Sequence, residues 1–233
     1  ISKNEINQKI SFLSYDYVII GTGPSGTVLL SYLKEKNKKI LVLERGNFKE
    51  KQYESVFSNQ LKIKKKSRTF AVGGTSEDWS NVYSKFEHFE LNKKKGNSNR
   101  NLWPLSYSEL LSYYDKINKK FFSKITNIRN NQINSKFITR LFYAPKQPLN
   151  FSKFYHDINF DIIINCSVDL IDEKNDLVNI RLSNKFSIFN TTVKKTIICA
   201  GGLESVRLIM KSIKNGMLKS LKNKRYLGRF FMD

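Results

Sequence analysis

The sequence predicts an α/β fold: a parallel sheet with helices against it, a small antiparallel β-meander, and an inserted segment that is largely helical. Three observations lead there. A strand, a glycine-rich turn, a helix and a second strand follow one another over residues 16–44. A further buried strand, ending in paired glycines and a helix, occupies residues 196–213. Before it, alternating apolar stretches over residues 161–189 read as short strands joined by turns.

The first strand is Asp16-Tyr17-Val18-Ile19-Ile20, short, β-branched and aromatic. It runs into Gly21-Thr22-Gly23-Pro24-Ser25-Gly26, then into a helix carrying Val28, Leu29, Leu30, Tyr32 and Leu33, with Lys34 and Lys36 at its C-terminal end. The second strand is Ile40-Leu41-Val42-Leu43-Glu44. A G-x-G-x-x-G run between strand and helix is a Rossmann-like dinucleotide cradle. Gly21 permits the tight turn, Gly23 lets a pyrophosphate approach the backbone, and Gly26 lets helix and strand pack closely. The helix N-terminus, with Pro24 and Ser25, offers free N–H groups to the phosphates. Glu44, at the end of the second strand, is placed to accept hydrogen bonds from both hydroxyls of an adenosine ribose. The motif alone leaves NAD and FAD open. Pro24 after the second glycine, and Glu44-Arg45-Gly46 after the second strand, resemble the FAD version.

Residues from Phe48 to Arg68 are polar and weakly periodic, and a second glycine cluster follows, Gly73-Gly74-Thr75-Ser76 with Trp79 and Asn81. Paired glycines let the backbone lie against a ligand. Thr75, Ser76 and Asn81 add hydrogen-bonding groups, and Trp79 a flat apolar face. Ser106 and Glu109 have capping-box spacing, so a helix is expected from Tyr107 to about Phe122, with Leu110, Tyr114, Ile117 and Phe121 as its core-packing stripe.

In the last third, Asp161–Val168 reads as a strand into a turn, and Leu177–Leu182 and Phe186–Phe189 alternate as a meander should. Thr196–Ala200 is a buried strand leading to Gly201-Gly202. The helix after it carries Leu203, Val206, Ile209, Met210 and Ile213 on its expected apolar face. Cys166 and Cys199 read as small buried hydrophobes. His88 and His156 lack the spacing of metal ligands, so no metal site is expected.

The 233 residues carry a net charge of +21, and 32 of the 41 basic residues are lysine. They are scattered along the chain rather than gathered into a nucleic-acid motif, so a basic nucleic-acid- or anionic-surface-binding protein is the disfavoured reading. No apolar stretch reaches the roughly 20 residues that span a bilayer. No targeting signal is readable, which leaves a cytoplasmic location as the default expectation.

Taken in order, the motifs resemble the glucose–methanol–choline (GMC) family of FAD-dependent oxidoreductases. They are Gly21–Gly26 with Glu44-Arg45-Gly46; Gly73–Ser76 with Trp79; Trp103-Pro104-Leu105-Ser106-Tyr107-Ser108-Glu109-Leu110; Ala200-Gly201-Gly202-Leu203-Glu204-Ser205; and Gly228-Arg229-Phe230-Phe231-Met232-Asp233. The run from Trp103 is closer to the sugar and polyol dehydrogenase branches than to the choline branch. The resemblance implies an FAD-binding domain in two parts, residues 13–100 and 156–233, with an inserted helical cap or substrate-side segment at 101–155. It implies oxidation of an alcohol or sugar hydroxyl by hydride transfer to FAD, with oxygen, a quinone or a haem protein as electron acceptor. Cofactor contacts are then expected from Gly21, Gly23, Pro24, Ser25, Gly26, Glu44, Arg45, Gly73, Gly74, Thr75, Ser76, Trp79, Asn81, Val168, Ala200 and Gly201, with Val168 meeting the adenine. Some relatives link FAD covalently to a histidine two residues after the Ser of the glycine cluster. That position is Asp78 here, so non-covalent FAD is expected. The family's catalytic histidine has no counterpart in these motifs. The sequence therefore reads as the N-terminal portion of such an enzyme, with a catalytically incomplete FAD-binding fragment as the alternative.

Overall fold

The structure, a computed structural model, describes residues 12–53, 68–78, 84–86, 88–91, 105–121, 151–155, 160–221 and 224–229. Trp79, Asn81, Trp103, Pro104, His156 and residues 230–233 lie outside these. The chain divides into two compact units, residues 1–78 with 150–233, and residues 79–149.

In chain order the elements are β1 (Tyr17–Ile20), α1 (Pro24–Glu35), β2 (Ile40–Leu43), β3 (Gln52–Tyr53), β4 (Thr69–Phe70), α2 (His88–Leu91), α3 (Tyr107–Phe121), α4 (Phe151–Phe154), β5 (Asp161–Ile163), β6 (Ser167–Lys174), β7 (Leu177–Ser183), β8 (Ile188–Val193), β9 (Thr196–Ile198) and α5 (Gly201–Lys214). Four strands form a parallel sheet in the order β5-β2-β1-β9, with Val18 opposite Leu41 on one side and Thr196 on the other. β6, β7 and β8 form an antiparallel meander. β3 and β4 pair as a short antiparallel ribbon.

The period of two sorts the central strands. Val18, Ile20, Leu41 and Leu43 pack into one core with Ile180, Leu182 and Val193 of the meander and Leu208 of α5. Ile19, Ile40 and Val42 pack into the other, with Leu30 of α1, Val72 and Tyr155. A strand covered on both faces has to be apolar throughout, which is why the Val18-Ile19-Ile20 and Ile40–Leu43 runs lack polar residues. The α/β architecture and the presence of a meander are as expected from the sequence, but β5 joins the parallel sheet and the first strand of the meander is β6, where the sequence suggests a turn at Val168.

α1 buries Gly26, Thr27, Leu30 and Ser31 and exposes Tyr32. α5 departs from its expected apolar face at Met210, which is exposed, and its buried residues are Leu208 and Ser212. In both cases hydroxyls enter the core because they satisfy themselves on nearby backbone: Thr27 Oγ1 donates to Thr22 O at 3.0 Å and Ser31 Oγ to Val28 O at 2.8 Å. Ser212 Oγ donates to Leu208 O and accepts the backbone N–H of Ile171, both at 2.9 Å. Ile171 lies on β6, an edge of the meander, so the serine covers an otherwise unpaired edge donor. Ser212→Ala orphans that buried N–H and is expected to lower unfolding stability by about 1–3 kcal/mol, measured by urea denaturation. An unchanged midpoint would mean that the N–H finds another partner.

Phe186 also departs from the alternating strand expected there. It sits in the β7–β8 turn, 94% exposed, and β8 starts at Ile188. Asn184 Oδ1 accepts the N–H groups of Phe186 and Ser187, both at 2.8 Å, and this side-chain-closed turn ends the strand pattern early.

In the smaller unit, α3 starts at Tyr107 as the capping box predicts. Ser106 N–H donates to Glu109 Oε2 at 2.8 Å, and Glu109 N–H donates to Ser106 Oγ at 3.3 Å. Its stripe of Leu110, Tyr114, Ile117 and Phe121 is only half-buried, and no described residue of α3 is fully buried. His88 stacks edge-on against Tyr107 with ring centroids 5.5 Å apart.

Candidate functional site

The C-terminal ends of β1, β2 and β9 open onto a cleft of about 610 Å³, lined by the Gly21–Ser25 turn, Glu44, Arg45, Gly74, Val168 and the Ala200–Glu204 start of α5. Ligands in open parallel sheets bind at this end.

Three glycines of the turn serve three different needs. Gly21 has φ +101°, and a Cβ on it would lie 2.6 Å from the backbone oxygen of Cys199 beside it. A Cβ on Gly26 would lie 2.1 Å from Gly21 O, so the helix could not approach the strand. Gly23 is unlike both. Its φ of −63° and ψ of −177° suit any residue, and a Cβ there would have no heavy atom within 4 Å. Neither conformation nor packing within the described protein requires glycine at 23, but a ligand lying on the backbone would. The cradle therefore fits a pyrophosphate.

Two helices begin on this cleft without side-chain caps. Gly23 precedes α1 and Ala200 precedes α5, and neither N-terminus has a side-chain cap bond. Their leading N–H groups are suited to an anion. Gly74, at φ +57°, rests against the turn: a Cβ on it would lie 2.9 Å from Gly23 Cα. The second glycine cluster is thus packed onto the first.

Glu44 is 6% exposed. Its Oε2 accepts the Thr22 N–H at 3.0 Å and the Thr22 hydroxyl at 2.6 Å, and its Oε1 accepts the Gly46 N–H at 2.7 Å. Burial pushes its pKa up, and these hydrogen bonds only partly offset that push. Gly46 runs close against the other glycine segment, where a Cβ would lie 2.3 Å from Ala71 N. The Arg45 guanidinium lies 4.0 Å over the Phe70 ring. At the mouth, buried Arg68 pairs with Glu204, which also accepts Arg207 Nε at 2.8 Å.

Of the residues singled out from sequence, Gly21, Gly23, Pro24, Ser25, Glu44, Arg45, Gly74, Thr75, Val168, Ala200 and Gly201 line this one cleft. Gly26 stands behind the turn. Ser76 faces inward, its hydroxyl donating to Gly73 O at 2.6 Å and accepting the Phe151 N–H at 3.3 Å, so it ties the glycine cluster to α4. Asp78 accepts Thr69 Oγ1 at 2.6 Å and Lys51 Nζ at 3.0 Å. Burial pushes its carboxyl up, but these hydrogen bonds prevail and hold it below the usual range. Cys166 is buried and Cys199 half-buried, both are free, and burial pushes the Cys166 thiol up to about 12. Sequence reasoning missed Thr22, at a variable position of the glycine motif, and the Arg68–Glu204 pair. Only the tertiary fold brings those partners together.

Among the described residues no cluster of His, Cys, Asp and Glu is arranged to hold a metal, and no helix is long and apolar enough to cross a membrane. No family model matches the chain. Among solved structures it resembles pyridoxine 4-oxidase from Mesorbium loti, with 14% identity and a TM-score of 0.54, covering 85% of this chain and 52% of that one. It resembles a fungal aryl-alcohol oxidase, with 15% identity and a TM-score of 0.55, and a formate oxidase, with 13% and 0.54, each over 85% of this chain and 47% of the other. The chain spans about half the length of these structures. At such identities the likeness is one of fold alone.

Proposed function

We propose that the protein is an FAD-dependent oxidoreductase of the GMC type, acting on the carbinol carbon of an alcohol or a sugar. The observation that carries the reading is Gly23, a glycine whose Cβ space is open toward the cleft, set between two uncapped helix N-termini. FAD is favoured over NAD by the Glu44-Arg45-Gly46 turn and by the glycine cluster packed on Gly23. In this reading the α1 and α5 N-termini hold the pyrophosphate, Glu44 accepts from the adenosine ribose, and Val168 borders the adenine. The unit of residues 1–78 with 150–233 is then the FAD-binding part, and residues 79–149 belong to the substrate side.

FAD supplies the hydride acceptor when bound. The chain's own residues fix one end of it and exclude water from its phosphates and ribose. Asp78 is a carboxylate committed to Thr69 and Lys51, which supports non-covalent attachment. The described lining of the cleft holds no histidine, and we assign no base. Oxygen, a quinone or a haem protein would take the electrons onward.

A visible spectrum of the purified protein tests this. Flavin bands are expected, with the yellow colour passing into the supernatant after acid precipitation. Colourless protein that takes up no FAD, or colour that stays with the pellet, would overturn the FAD reading or the non-covalent one respectively.

A further inference from the structure

Thr22 stands at the variable position of the glycine motif, is fully buried, and belongs to none of the contacts assigned above to the cofactor. Its hydroxyl lies 2.6 Å from Glu44 Oε2, accepts the Gly73 N–H at 3.0 Å, and lies 3.4 Å from Ala71 O. A hydroxyl has one proton to give and two lone pairs. The proton goes to the nearer, charged acceptor, Glu44, and a lone pair receives Gly73. The backbone N–H of Thr22 reaches the same Oε2 at 3.0 Å. One side chain therefore ties together the phosphate turn, the acid at the end of β2, and the second glycine cluster.

We propose that Thr22 is a positioning residue for the dinucleotide. With its own N–H and O–H it fills Oε2 of Glu44 and fixes the carboxylate in one orientation. Gly46 N–H takes one site on Oε1. The Arg45 backbone N–H is a further donor to the carboxylate. Held by four donors, it keeps at most a shared acceptor site, for one ribose hydroxyl rather than two. Through Gly73 the same hydroxyl seats Gly74 on the backbone of Gly23, which shapes the floor of the pyrophosphate cradle. Thr22 lines the cleft within the turn, but its residue is fully buried and its hydroxyl is committed to Glu44 and Gly73.

The inference rests on FAD being the occupant, and the test keeps the two apart. FAD is titrated by quenching of its fluorescence into wild-type protein, Thr22→Ser, Thr22→Val and Thr22→Ala, with circular dichroism as the check on folding. Wild type that binds no FAD overturns the occupant and this inference with it. If wild type binds, Thr22→Ser is expected to stay within a few-fold of it, because the hydroxyl is kept. Thr22→Val, of the same shape but without the hydroxyl, is expected to raise the Kd by about 10- to 100-fold, the range for losing a hydrogen bond to a charged group. Combining it with Glu44→Gln should add much less than the two separate losses, since both act through one carboxylate. A folded hydroxyl-free variant that binds like wild type overturns the proposal. So does Thr22→Ser binding as weakly as Thr22→Val. Unfolding of both Val and Ala variants also overturns it, because the hydroxyl would then hold the fold rather than position the ligand.

Discussion

Gly23→Val abolishes FAD binding and leaves the melting temperature of the apo-protein unlowered. The two halves of this expectation have separate causes. The Gly23 backbone is already in a region that valine adopts, at φ −63° and ψ −177°, and the space its side chain would enter is open within the described protein. Restricting the unfolded chain at such a site stabilises by about 0.4–1 kcal/mol if anything. In the proposed function a bound pyrophosphate would occupy the same space, and the valine methyls would hold it off the N–H groups at the start of α1. Gly26→Ala, three residues along, should do the opposite. Its new Cβ would sit 2.1 Å from Gly21 O, backbone that can move only by separating α1 from β1. We expect a loss of several kcal/mol, on the scale of the severe single-site effects, with flavin lost only because the fold is lost. Thermal melts and FAD titrations on the two variants separate these outcomes. Gly23→Val protein that purifies yellow would show that no phosphate lies on this backbone.

The contrast between these glycines shows how far the sequence could be read. Spacing alone told that each glycine of the motif has a task, because strand, turn and helix are local and their geometry follows from residue type over a few positions. The buried strands were equally legible, since Val18-Ile19-Ile20 and Ile40-Leu41-Val42-Leu43 are short runs rich in β-branched residues with no polar side chain. Relations between distant segments were not. The sequence places Glu44 to accept from both hydroxyls of a ribose, and it carries no sign that Thr22, 22 residues earlier, bonds one oxygen of that carboxylate. The buried hydroxyls of α1 and α5 are hidden from the sequence for a related reason: apolar periodicity does not mark Thr27, Ser31 and Ser212, which enter the core by bonding to nearby backbone. Arg68 and Glu204 stand far apart in the chain and carry no signal of their partnership until β4 and α5 are placed on the same cleft.

Glu44 carries the second large effect, and its Ala and Gln substitutions part company. Glu44→Ala removes the acceptor proposed for a ribose hydroxyl and also strands the N–H groups of Thr22 and Gly46 in a buried site. Each stranded donor costs about 1–3 kcal/mol, so Glu44→Ala is expected to be both colourless and several kcal/mol less stable. Glu44→Gln keeps the shape and one carbonyl acceptor, so it should fold. It should bind FAD at least about tenfold more weakly, because an amide replaces a charged acceptor. The pH dependence supplies a second sign. Burial raises the pKa of Glu44 in the folded protein above its unfolded value. Between those two values the folded state holds more protons, so stability falls as pH rises through the window and is highest below it. The apo-protein should therefore show a Glu44-dependent loss of stability on leaving acid pH, absent in Glu44→Gln. FAD binding should strengthen over the same window, since the ribose hydroxyl donates to the ionised form. Urea titrations of both proteins at a series of pH values, with FAD affinity measured alongside, test the two trends together. If Glu44→Gln matches wild type in affinity and in its pH slope, the carboxylate at the end of β2 is neither charged nor in contact with the ligand.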